Sequence, residues 1–155
     1  MLKKSTLVRY LLTTLVVFAP EVVITSQPAH GISSNLTVMV DGLRNKQGQV
    51  CARVFAQSSG FPNRPDQAVA SQCTKVNKIT TGFKFTNLVP GSYAVALFHD
   101  ENSDGQINTG LFGLPSEGLG CSRNPRGLVG PPRFQDAVFL VVGPNNVIQI
   151  QLNYL

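Results

Sequence analysis

Nowhere in this chain do apolar residues return every 3.6 positions over three turns. Instead, seven short runs alternate apolar and polar residues or crowd β-branched ones, with turn residues between them. The runs are 35–43 (NLTVMVDGL), 50–56 (VCARVFA), 68–76 (AVASQCTKV), 82–88 (GFKFTNL), 92–100 (SYAVALFHD), 137–142 (AVFLVV) and 146–155 (NVIQIQLNYL). In 82–88, Phe83 and Phe85 point to the core, and bringing Leu88 to the same face requires a bulge before it. In 92–100 both alternating sets are apolar, Tyr93, Val95 and Leu97 against Ala94, Ala96 and Phe98, so the strand is expected to be buried on both faces. Strands at short intervals without helices predict an all-β fold, an antiparallel β-sandwich of immunoglobulin-like or prealbumin-like type. The Cys-Trp-Cys signature of antibody domains is absent, because the chain has no tryptophan.

Residues 1–31 stand outside that pattern. Lys3, Lys4 and Arg9 precede an apolar run from Leu11 to Ala19, and Ala29 and Gly31 end a polar stretch as small residues two apart. A basic start, a short apolar core and a small-residue exit describe a secretory signal, expected to be cleaved after Gly31 and to send a single domain, 32–155, to the periplasm or the exterior. The apolar run is too short for a spanning helix, which needs about 20 residues. Removing Lys3, Lys4, Arg9 and Glu21 from 13 basic and 8 acidic side chains leaves ten and seven, a net charge of +3. That mild charge, with no basic run, argues against nucleic acid as a partner.

Three cysteines remain, Cys51, Cys73 and Cys121. In an oxidising compartment two are expected to pair, and Cys51 with Cys73 is favoured because both lie in strand-like runs separated by one connection. A pair involving Cys121 stays open. No spacing is CxxC, so a redox motif or zinc ribbon is not indicated.

Residues 101–135 carry no strand pattern but seven glycines and four prolines. A loop of that length in a compact domain is usually functional or disordered, and Ile107, Leu111, Phe112, Leu114, Leu119 and Phe134 argue for order. Its first part, HDENSDGQIN (99–108), matches the opening of a calcium loop: Asp100, Asn102, Asp104 and Gly105, then Asn108 at the ninth position, with Gln106 able to offer its backbone carbonyl. Hard cations need several oxygens at about 2.3–2.6 Å, and a tight turn aims every second side chain inward. The twelfth position, where a bidentate glutamate is required, is Leu111, so Glu117 or Glu101 must complete the set of Asp100, Asn102, Asp104, Gln106 and Asn108. Four of the seven acids after residue 31 lie in 100–117, and no Lys or Arg occurs between Lys84 and Arg123, a repulsion that a structural Ca2+ would relieve. Asp, Asn and Gly are equally the residues of a plain polar turn.

His99 is the single histidine after residue 31 and could serve as a general base beside Asp100 or Glu101, which makes a hydrolase the rival reading. A histidine at a strand end more often orients a loop. Ser116 or Ser122 could complete a triad, but no G-x-S-x-G elbow occurs. Asn35-Leu36-Thr37 is a glycosylation acceptor only in a eukaryotic secretory pathway.

GFP (60–62), L-x-P-G-x-Y-A-V-A (88–96), F-H-D-E-N (98–102), G-L-P-x-E-G-x-G (113–120), PPRFQDAVF (131–139) and IQIQLNY (148–154) together resemble a bacterial family of exported proteins catalogued as a domain of unknown function, number 2141. The resemblance implies a small exported β-sandwich without established activity or ligand. The family pattern usually has an aromatic residue where this chain has Cys121, which implies that Cys121 is the unpaired thiol and supports the Cys51–Cys73 bridge. The expectation is a non-enzymatic module whose cation-ordered loop presents a surface to a protein or glycan partner.

Overall fold

The computed structural model describes residues 33–78, 81–126 and 130–155; the stretch read as a secretory signal, 1–31, lies outside the described residues. Among the described residues eight strands follow one another: β1 (Ser34–Asp41), β2 (Gln49–Phe55), β3 (Ala70–Lys75), β4 (Thr81–Leu88), β5 (Gly91–Asp100), β6 (Gly118–Cys121), β7 (Phe139–Val141) and β8 (Asn145–Gln151). They form two sheets, one ordered β4-β1-β8 and the other β3-β2-β5-β6, with β7 pairing the start of β5. One short helix, α1 (Phe134–Ala137), precedes β7. Among the described residues no helix is long and apolar enough to cross a membrane.

The two sheets share one core because period-two alternation gives each strand one apolar row. Leu36, Val38 and Val40 of β1, Phe83 and Phe85 of β4 and Ile150 of β8 pack with Val50, Ala52 and Val54 of β2 and Val95 and Leu97 of β5. Truncating a buried phenylalanine in such a core costs about 3–5 kcal/mol. The bulge needed to bring Leu88 to the core face is present: Asn87 takes φ of 60°, the β1–β4 register shifts there, and Leu88 is buried. Tyr93 donates its hydroxyl to the carbonyl of Val89 at 2.7 Å, the tyrosine-corner contact that fixes the entry to a sandwich strand.

Cys51 and Cys73 face each other directly across β2 and β3 and are joined by a disulfide, leaving Cys121 as a buried free thiol. The other strand pairs are antiparallel, but β8 runs parallel to β1, with Val38 beside Ile148 and Val40 beside Ile150. The antiparallel β-sandwich expected from the sequence is thus present, with one parallel pair at the edge of the β4-β1-β8 sheet. The connection from β7 crosses between sheets instead of folding back as a hairpin, which frees the direction of the last strand.

Strand β5 is buried on both faces, as its two apolar rows require. Its second row, Ala94, Ala96 and Phe98, lies on the outer face of the β3-β2-β5-β6 sheet beside Phe55, Arg53 and Cys51 of β2. Towards one end of that face, Ala94 and Cys121 pack with Ala137 of α1 under Phe61 and Phe134. Rings of Phe55, Phe61 and Phe134 meet edge to face at 5.4 and 5.8 Å. Ser122 fixes this lid, accepting from the amide of Val95 and donating to the carbonyl of Ala137. Towards the other end, at Arg53, Ala96 and Phe98, the long loop stands over the sheet.

Candidate functional site

The acidic stretch is tied together by its own carboxylates. Asp100, fully buried at the end of β5, accepts from the amides of Asp104 (3.1 Å) and Gly105 (2.9 Å) and from Gln49 Nε2 (2.8 Å). Glu117, also buried, accepts from the amides of Glu101 (3.0 Å) and Asn108 (2.9 Å), so one side chain closes the loop at both ends. Asp104 is exposed; its Oδ2 accepts the side-chain amides of Asn102 (2.8 Å) and Asn108 (3.1 Å), and its Oδ1 accepts the amide of Gln106 (2.8 Å). Donation from Gln106, Asn108 and Asn102 holds the Asp104 carboxyl below the usual range.

The six residues singled out for a cation thus fall into an inner pair, Asp100 and Glu117, and an outer group, Asn102, Asp104 and Asn108, with Gln106 contributing a backbone amide to Asp104. Among the described residues no three His, Cys, Asp or Glu side chains gather closely enough to hold a metal ion. The repulsion that a cation would relieve is partly met by Arg44, from the β1–β2 connection, whose Nε and Nη2 reach Glu101 at 2.8 and 2.5 Å. Asn45 adds a third donor at 2.6 Å. Bonding to Arg44, ahead of that to Asn45, keeps the Glu101 carboxyl below its ordinary value.

His99 is completely buried. Its Nε2 lies 2.8 Å from the carbonyl of Gln47, an acceptor only, so Nε2 carries the proton, and Nδ1 accepts from the Tyr154 hydroxyl at 2.7 Å. Both nitrogens are spent and neither reaches solvent, which makes His99 a residue that anchors the C-terminal segment and the β1–β2 connection. Gly118 leaves the room: a Cβ there would stand 2.5 Å from the Tyr154 ring. The Arg44 guanidinium stacks over the same Tyr154 ring, its Cζ 4.4 Å from the centroid.

With its base secured, the long loop walls a cleft of about 830 Å3 over the outer face of the β3-β2-β5-β6 sheet, within the range of small-molecule sites. Ala96, Phe98 and Leu119 contribute to its floor, while Ile107 and Leu114 from the loop and Pro62 from the β2–β3 connection line its sides. Leu114 belongs to a short excursion closed by a bridge between Thr109 and Pro115 and by the Gly110 amide on the Leu114 carbonyl (2.7 Å). At its tip Leu111 is 83% and Phe112 96% exposed, and Phe112 has φ of 61°. A bulky residue in that backbone region is strained, and strain of this kind concentrates at functional sites.

Arg53 carries no motif in the sequence. It is buried at the floor of the cleft, its Cζ 4.7 Å above the Phe98 ring, and its one side-chain hydrogen bond among the described residues is from Nη1 to the carbonyl of Asn63 (3.3 Å). Burial lowers its pKa. The available signal was a lone arginine inside the apolar run VCARVF, on the same strand face as Cys51 and Phe55.

A family model described as "Uncharacterized protein conserved in bacteria (DUF2141)" matches residues 38–149, a span that contains the whole loop and the Arg53 strand. No curated protein and no solved structure matches the chain.

Proposed function

The chain belongs to this family of uncharacterized bacterial proteins, and we propose that the protein is an exported, non-enzymatic module that binds a small apolar ligand in the cleft between its long loop and the outer face of the β3-β2-β5-β6 sheet. The observation that carries the reading is the cleft itself. A covered strand face would normally be filled by loop side chains, yet here Ala96 is small, Leu111 and Phe112 turn outward, and Leu114 is half exposed at the rim. The apolar lining favours such a ligand over a glycan. Export rests on the N-terminal signal pattern, and the disulfide between Cys51 and Cys73 is in keeping with an oxidising compartment.

The test is fluorescence of the neutral dye N-phenyl-1-naphthylamine, which brightens in apolar sites. Saturable binding that is weakened at least tenfold by Leu114→Asp supports the reading, since Leu114 is partly exposed and its change leaves the core intact. No saturable binding, or binding indifferent to both Leu114→Asp and Ile107→Asp, rejects it.

A second reading, a weak calcium site at the outer group, is favoured by one observation. The Asn108 Oδ1 is a buried oxygen with no hydrogen-bond partner among the described residues, on the same amide that donates to Asp104. Oxygens from Asp104, Asn102 and Asn108 are the ligand type a hard cation takes. Melting the protein with millimolar calcium and then with chelator distinguishes the two: a rise of several degrees that Asp104→Asn abolishes establishes the ion, and no shift removes it.

A further inference from the structure

Resting on the cleft reading above, we propose that Arg53 makes the site specific for a monoanionic amphiphile, with one carboxylate seated on the guanidinium and an apolar body lying along Phe98, Leu119, Ile107 and Leu114. A guanidinium has five N–H donors and remains charged in proteins. Arg53 is 8% exposed, and among the described residues no carboxylate lies within ion-pair distance of it. Its Nε and Nη2 have no hydrogen-bond partner there, and only Nη1 is engaged. A largely buried cation whose free donors face a cleft is a ready partner for an anion entering it.

Among the described residues, the acidic side chains near the cleft are already committed. Glu117 lines the same cleft but accepts two backbone amides, and Asp100 three donors. Glu101 is held by Arg44 and Asn45. Among the described residues Arg53 thus has no counter-ion, although the Phe98 ring beneath it offers its negative face. Arg53 pairs in register with Ala96, and that small neighbour leaves the guanidinium open to the cleft. A single cation matches a single negative charge; a phosphate monoester would bring a second charge into a cleft whose described lining includes Glu117 and no cation besides Arg53. Planar, bidentate recognition suits the arginine fork to a carboxylate.

The experiment displaces bound N-phenyl-1-naphthylamine from the full protein with decanoate, decanol and decyl phosphate, alongside Arg53→Met, which keeps the apolar stem over Phe98 and removes the charge. The expected result is that decanoate displaces the dye at least tenfold more effectively than decanol, and that Arg53→Met erases this difference while decanol is unchanged. Equal potency of decanoate and decanol in the unaltered protein overturns the assignment, whether or not the variant folds, and leaves the apolar cleft standing. Tighter binding of decyl phosphate than of decanoate overturns the monoanion. A decanoate preference that survives in folded Arg53→Met assigns the head group elsewhere. Failure of every probe, the dye included, removes the cleft as a binding site and this inference with it.

Discussion

Nδ1 of His99 and the hydroxyl of Tyr154 lie 2.7 Å apart, bringing the end of β5 and the C-terminal segment together across 55 residues of sequence. The same hydroxyl accepts from the Arg44 amide at 3.3 Å, so three chain segments meet at one oxygen. Tyr154→Phe keeps the ring against Gly118 and under Arg44 but leaves the buried Nδ1 without its donor. The expected cost is about 1–3 kcal/mol, read as a fall of several degrees in Tm. An unchanged Tm would show that the segment is anchored without this contact.

Asp100→Asn places an NH2 among three donors in a site with no access to water. A loss of about 2–3 kcal/mol is expected, with faster hydrogen exchange at the Asp104 and Gly105 amides than elsewhere in the sheet. Glu117→Gln acts on the other closure and should speed exchange at Glu101 and Asn108. If either change leaves those amides protected, the loop is held by something other than its carboxylates.

Acid should loosen the loop before it unfolds the sandwich. Arg44 holds the folded Glu101 carboxyl below its ordinary value of 4.5, so over that window the unfolded chain binds more protons than the folded one. The stabilisation is therefore complete above about pH 4.5 and is lost as pH falls through the lower, folded value. Arg44→Gln raises the folded value and should flatten the acid limb of the Tm-against-pH curve; an unaltered limb would remove the pair from the account.

The Cys51–Cys73 bridge closes a loop with a sequence separation of 22, for which about 3 kcal/mol is expected. Replacing both by alanine should lower Tm strongly. Cys121 behaves differently: burial pushes its thiol up to about 11, so it should resist iodoacetamide at pH 8 in the folded protein and react on unfolding. Rapid labelling of the folded protein would contradict the packing of Cys121 against Ala94 and Ala137.

What could be read in the sequence was whatever local alternation carries. The two-faced burial of β5 and the bulge that brings Leu88 inward follow from residue spacing within single runs, whereas the Cys51–Cys73 pairing was favoured by two neighbouring runs and by the family resemblance, with Cys121 left open. β6 was missed because Gly118-Leu119-Gly120-Cys121 has no alternation, and its glycines serve close approach instead: a Cβ at Gly120 would stand 2.8 Å from the Gln151 carbonyl. The parallel course of β8 depends on where β7 leaves the sheet, which no local pattern records. The acidic stretch was read as a cation loop, but four of the five donors on Asp100 and Glu117 are backbone amides, invisible in a string of side chains, and the fifth is the Gln49 side chain from another strand. Arg53 escaped notice for a related reason. Its environment comes from Phe98, Asn63 and a loop some sixty residues away, and one charged letter in an apolar run does not say whether a partner awaits it.

Ligand binding in the cleft is the central claim. An NMR titration of the protein with N-phenyl-1-naphthylamine should give saturable shifts in the amides of Phe98, Ile107, Leu114 and Leu119, with Val147 on the far sheet unmoved. Shifts that never saturate, or that centre on the β4-β1-β8 sheet, would contradict it.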